Sequence, residues 1–195
     1  MTITQKIRRY ALTLVLSLLC INGFAGMPEE LAEKKALENR AEAGDLEAQK
    51  IVAYKYLRGE KPFIQNNIVA FKWLKMLAEQ DDTDAQVTLA DIYSGQFPLK
   101  GTTPNYTEAV RLYRLAANKG NTYAISRLGD CYYEGLGVSR NVLEAFAYKT
   151  IVNGTWSYFL SSEHDKYTVA GQKRAAEIQA QIAANIEAKA KAEKK

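Results

Sequence analysis

Histidine is almost missing from this chain of 195 residues: His164 stands alone. Cysteine occurs twice, at positions 20 and 131, and proline only four times. A protein-built metal site draws on several His or Cys ligands. The composition therefore argues against a metal centre and leaves no set of cysteines for a disulfide framework. Catalytic motifs are missing as well, with no Gly-x-Ser-x-Gly elbow and no Walker-type phosphate loop. Serines 94, 126, 139, 157, 161 and 162 are followed three positions on by Phe97, Gly129, Val142, Leu160, His164 and Asp165. None is the Lys that a Ser-x-x-Lys nucleophile requires. The string Ser162-Glu163-His164-Asp165 is no triad, because adjacent side chains point apart and triads assemble from separate parts of a fold. Paired carboxylates such as Asp81-Asp82 fall at helix starts, where capping accounts for them. The expectation is a protein with no catalytic residues, no cofactor and no metal.

No apolar run reaches the ~20 residues that span a bilayer. The main apolar stretch, Ala11 to Ile21, follows the basic residues Lys6, Arg8 and Arg9 and precedes small residues at Gly23 and Ala25. That is the anatomy of a secretory signal peptide, so residues 1–25 are expected to be cleaved on export. A leader of this kind serves bacterial and eukaryotic secretion alike. Cys20 follows Leu19 rather than a small residue, which argues against lipid attachment. The full chain carries 26 basic and 22 acidic residues, a net +4; without the three leader cations the balance is 23 to 22, or +1. Nothing in that balance would neutralise a run of phosphates, so no nucleic-acid partner is expected.

What the chain has in place of chemistry is repetition. An Ala, an apolar residue four positions on, a Tyr eight positions on and a Gly shortly after recur three times. The sets are Ala48, Val52, Tyr56 and Gly59; Ala85, Leu89, Tyr93 and Gly95; and Ala124, Leu128, Tyr132 and Gly135. The opening alanines are 37 and 39 residues apart, a period that marks solenoid arrays. Each set is followed by a second helical signal: Ala70 with Trp73, Ala109 with Leu112, Ala145 with Tyr148. Such helix-turn-helix units cannot bury their apolar faces alone and must stack. The expected fold is therefore all-α, an α-solenoid. A capping helix is expected within 26–44, repeats at about 45–81, 82–120 and 121–154, and a C-terminal cap with a polar tail over 155–195. Asp45, Asn66 or Asn67, Asp82 or Thr83, Asn105, Asn121 or Thr122, and Asn141 are the expected helix N-caps. Trp156, Phe159 and Leu160 read as a short covering helix. A long helix from about Tyr167 should pack through Val169, Ala176, Ile178, Ile182 and Ile186, fraying beyond Ala188. Cys131 takes the slot of Ile92 one repeat earlier and reads as a small buried hydrophobe.

These motifs resemble the Sel-one-like repeat, a relative of the tetratricopeptide repeat. The stretch "AISRLGDCYYEGLGVSRNVLEAFAY", from Ala124 to Tyr148, carries its pattern nearly whole, including the Gly-x-Gly-Val turn at Gly135 and Gly137. The first repeat has Lys61-Pro62-Phe63 at that turn and the second has "QFPLKGTTPN". Residues Ala48, Tyr56, Trp73, Ala85, Tyr93, Ala109, Ala124, Leu128, Tyr132, Gly135 and Gly137 are the expected structural core of the repeats. The resemblance implies a protein-binding solenoid whose groove is lined by non-core positions of each first helix. Mapped here these are Glu47, Lys50, Tyr54 and Arg58; Asp84, Val87, Asp91 and Ser94; and Tyr123, Ser126, Asp130, Tyr133 and Glu134. The expected role is a non-catalytic periplasmic binder. The favoured form is an inhibitor or immunity protein acting on a secreted toxin or effector enzyme, as the family includes proteins of that kind. An envelope scaffold or host-interaction factor is the alternative. A penicillin-recognising cell-wall activity, linked to exported members of the family, lacks its Ser-x-x-Lys here.

Overall fold

The computed structural model describes residues 29–97, 103–153 and 164–194. The expected leader and the expected helix at Trp156, Phe159 and Leu160 lie outside them. Regular structure among the described residues is all helical: α1 Glu29–Glu42, α2 Leu46–Arg58, α3 Asn67–Glu79, α4 Thr83–Tyr93, α5 Tyr106–Ala117, α6 Thr122–Glu134, α7 Val142–Asn153 and α8 His164–Ala192. The fold is all-α, of the α-solenoid class. The chain divides into two compact units, residues 1–70 and 71–195.

Short polar side chains decide where the helices begin. In the first unit Asp45 accepts from the Ala48 N–H at 3.0 Å, and Asn66 from those of Ile68 and Val69, each at 3.1 Å. In the second unit Asp82, Asn105, Asn121 and Asn141 accept from the N–H groups of Ala85, Glu108, Ala124 and Glu144 at 2.9–3.1 Å. Each cap satisfies a donor the helix leaves open and contributes about 1 kcal/mol.

Ala48, Trp73, Ala85, Ala109, Ala124 and Leu128 are buried, as are Leu57, Ile92 and Cys131. Burial also pushes the Cys131 thiol up from its ordinary range, away from thiolate reactivity. The cassette tyrosines depart from the expected core: Tyr56, Tyr93 and Tyr132 are half-buried. Their rings lean on aromatic neighbours, Tyr56 edge-on to Phe63 at 5.0 Å and Tyr132 stacked on Tyr148 at 5.6 Å. The phenolic ends stay outward, where Tyr56 donates to Glu38 and Tyr132 accepts from Arg114 at 2.7 Å. A phenol needs such a partner, and here the partners lie at the surface. Among the described residues the completely buried tyrosine is Tyr113 on α5, one the repeat pattern does not mark.

Two buried glutamines knit helices together. Gln49 Nε2 donates to the Ala41 carbonyl at 3.1 Å in the first unit, and Gln86 Nε2 to the Ala78 carbonyl at 3.2 Å in the second. The third repeat has Ile125 at that position and makes the contact apolar.

The C-terminal helix buries the expected Ile178 and Ile182, but Ala176 and Ile186 are exposed and the helix runs further than its sequence reading. Its buried stripe is Ala175, Ile178 and Ile182, while Val169 is 78% exposed. Gly171 sets the register, because a Cβ there would overlap the Phe146 ring of α7. The expected fraying beyond Ala188 gives way to helix as far as Ala192. There Lys189 bonds Asp81 at 2.7 Å, an anchor that lies far away in sequence.

Candidate partner-binding face

In the second unit α4 and α6 present adjoining polar faces. Asp91 Oδ1 accepts from two tyrosines, the Tyr113 hydroxyl at 2.6 Å from inside and the Tyr123 hydroxyl at 3.0 Å from outside. Ser94 Oγ lies 3.2 Å from the Tyr113 hydroxyl and donates to the Asp91 carbonyl at 3.1 Å. Two turns along α6 from Tyr123, Asp130 holds Arg127 at 3.0 Å and Lys149 at 2.6 Å, and the Lys149 ammonium also donates to Ser126 at 2.9 Å. Arg127 lies within electrostatic reach of the Tyr113 hydroxyl, so the two clusters share one field. Burial, then the bond to Asp91, raises the Tyr113 hydroxyl well above the ordinary phenol range and keeps it a neutral donor.

Lys149 comes from α7, behind the face. Its methylenes cross α6 at Gly129, where a Cβ would stand 3.1 Å from both Cγ and Cε of the lysine. The Leu128-Gly129 pair thus does two jobs. Leu128 fills the core, and Gly129 opens a passage that delivers a cation to a helix on which the repeat pattern places none. A buried lysine stem with a paired head satisfies both its apolar and its charged parts.

The expected groove residues separate into three situations. Asp91, Ser94, Tyr123, Ser126 and Asp130 come together in the network just described, joined by Tyr113, Arg127 and Lys149, which the repeat pattern does not point to. Asp84 and Glu134 are exposed at the ends of α4 and α6, Val87 is half-buried, and Tyr133 is 36% exposed with the Arg140 guanidinium 5.5 Å above its ring. In the first unit Glu47 and Arg58 are exposed and Lys50 and Tyr54 half-buried, with Arg58 5.5 Å above the Tyr54 ring. Exposed tyrosines steadied by carboxylates and guanidinium groups make a surface suited to another protein. Among the described residues no cluster of His, Cys, Asp and Glu could hold a metal, and no helix is long and apolar enough to cross a membrane.

Comparison with known proteins locates this architecture. The family described as Sel1 repeat matches residues 46–82, 83–121 and 122–148. A curated relative, the ERAD-associated E3 ubiquitin-protein ligase component HRD3 of Candida glabrata, is 32% identical over 113 residues, which is 56% of this chain and 13% of that protein. The chain therefore spans a small fraction of that relative's length. Among solved structures, a Sel1 repeat protein from Oxalobacter formigenes is 26% identical and superposes with a TM-score of 0.52, covering 74% of this chain and 98% of that one. A protective antigen of uropathogenic Escherichia coli with an SLR fold is 21% identical, with a TM-score of 0.35 over 88% of this chain and 43% of that one.

Proposed function

The chain belongs to the Sel1 repeat family, and from that premise we propose that it is an exported, non-catalytic protein whose α4–α6 face grips a protein partner. One observation carries the reading. Tyr123 is 46% exposed, yet its hydroxyl is already held by the carboxylate that anchors the buried Tyr113. A large aromatic surface fixed before binding gives up little conformational freedom when a partner arrives, and tyrosine is prominent among binding hot spots. Asp91 and Asp130 balance Arg127 and Lys149 on this face, which favours a protein partner over a polyanion.

Lys6, Arg8, Arg9 and the apolar run to Ile21 support export, and with it a periplasmic address. In that compartment a compact binding face suits an inhibitor or immunity protein that covers a secreted toxic enzyme. The test is capture from periplasmic extract with wild type and Tyr123→Ala as baits, followed by titration of whatever the wild type retains. An inhibitor yields one partner at a one-to-one ratio whose enzymatic activity falls on binding. Several partners at low stoichiometry, with no activity lost, would replace this role with that of a scaffold. Intact-mass analysis should find the exported protein starting at Gly26.

A further inference from the structure

Cations cover the outer tyrosines of this protein. Within α2, Arg58 lies 5.5 Å above the ring of Tyr54, four positions before it. In the second unit Arg114 stands 5.8 Å from the Tyr132 ring and Arg140 5.5 Å from that of Tyr133. Tyr123 is more exposed than Tyr133, at 46% against 36%, yet among the described residues no cation lies over its ring. Arg127 has the spacing for it, four positions on as Arg58 is from Tyr54, but it is drawn inward to Asp130 at 3.0 Å and to the Tyr113 hydroxyl. The carboxylate beside the ring lacks a cation too. Asp91 Oδ1 accepts from two neutral phenols, and among the described residues no ion pair reaches Asp91, whereas Asp130 has both Arg127 and Lys149. Asp84, two turns earlier on α4, is exposed and likewise has no ion pair among the described residues.

We propose that the Tyr123 ring and the Asp91 carboxylate together receive an arginine side chain from the protein partner. This rests on the reading of the α4–α6 face as the partner's, and it names what the partner presents there. The guanidinium lies on the ring, in the place Arg127 leaves empty, and its edge donates to Asp91. Desolvation decides the charge of the incoming group. A partner that covers Tyr123 also takes water from Asp91, and a carboxylate stripped of water without a cation is costly. An apolar or acidic side chain leaves that cost standing, whereas a cation offsets it. Arginine suits the site better than lysine, because its planar group stacks on an aromatic face while its N–H fork bonds a carboxylate. Arg127 stands within electrostatic reach of Tyr123, but its charge is met by Asp130.

The probe is N-acetyl-arginine amide, titrated at constant ionic strength into the full chain with 13C-labelled tyrosine rings and followed by NMR. Saturable movement of the Tyr123 and Tyr113 ring signals is expected, with a Kd of about 10–50 mM. N-acetyl-citrulline amide, which keeps the shape and loses the charge, should not saturate. Asp91→Asn keeps an acceptor for Tyr113 and should weaken the arginine probe about fivefold. Tyr123→Leu removes the aromatic face at an exposed site and should abolish saturation at the Tyr113 signal, with melting unchanged within a few degrees. Citrulline binding as well as arginine, unaltered affinity in both variants, or no saturation up to about 0.2 M would overturn the proposal. So would a captured partner that is lost by Tyr123→Ala but held by Asp91→Asn as tightly as by wild type, for the face then stands without the arginine. Saturation by the arginine probe, with capture unchanged in Tyr123→Ala, would keep the cation site and remove the face from the partner.

Discussion

In the first repeat the chain leaves α2 through Gly59 and approaches α3 by way of Lys61, Pro62 and Phe63; in the third it leaves α6 through Gly135 and approaches α7 by way of Gly137 and Val138. Both turns close on the same backbone bond. The capping asparagine donates to the cassette tyrosine's carbonyl, Asn66 to Tyr56 at 2.9 Å and Asn141 to Tyr132 at 2.8 Å. What lies beneath them differs. Gly137 has φ of 72° and sits directly on the start of α5, where a Cβ would overlap the backbone of Tyr106 and Thr107. In the first unit Phe63 is buried edge-on against Tyr56, with the Lys34 ammonium of α1 5.2 Å from both rings. The family's glycine is thus demanded twice, by the positive φ of its own turn and by the helix that the turn rests on, and Lys61 at the matching position meets neither demand. Where a side chain can fill the space, Phe63 takes over.

The comparison breaks most directly at Gly137. Gly137→Val puts a branched side chain at positive φ and into backbone, and should cost at least about 5 kcal/mol or abolish cooperative unfolding. Lys61→Ala, at the matching and exposed position, should stay within about 0.5 kcal/mol in the same urea titrations. Phe63→Ala should cost about 3–5 kcal/mol, as a buried aromatic filling a turn does. A loss below about 1 kcal/mol would mean that the turn holds without its filler.

A smaller contrast lies in the hydroxyls. Burial first, and the bond to Glu38 second, push Tyr56 up to about 12. Its folded value is raised, so the stabilisation is fully present below the unfolded phenol value and is lost as pH rises through about 12. Unfolding free energy should decline from about pH 10 upward, and Tyr56→Phe should make the decline shallower. The smallest effect is expected at the distal end of α8. Bonds from Lys119 and then Lys189 hold Asp81 at about 2. This depressed carboxyl stabilises above its unfolded value, and the contribution disappears as pH falls through about 2. Lys189→Ala should lower the melting temperature only slightly near neutrality, as loss of an exposed pair does, with the two proteins converging in acid.

Features that depend on neighbours in sequence were legible beforehand. The six N-caps, the buried alanines and the glycines of the third turn all follow from local spacing, because helix starts and faces are set within a few residues. The C-terminal stripe was legible only at Ile178 and Ile182. Val169 and Ala176 are as apolar as the residues that replace them, and only the close approach of Gly171 to Phe146 selects the stripe through Ala175 and Ile178. The candidate face was half legible. Asp91, Tyr123, Ser126 and Asp130 fall on first-helix positions, but Tyr113 and Lys149 belong to second helices and enter through the core and past Gly129. A buried Tyr beside a Ser, and a Gly one helix away from a Lys, are signals that require the packing to be known.

The α4–α6 face stands or falls on Tyr123. Calorimetric titration of the captured partner into wild type and Tyr123→Ala, with melting curves on the same samples, tests it most directly. The expected result is a loss of about 2 kcal/mol or more in binding with melting essentially unchanged, while Lys61→Ala binds as wild type. Equal affinity for wild type and Tyr123→Ala would contradict the assignment of this face to the partner.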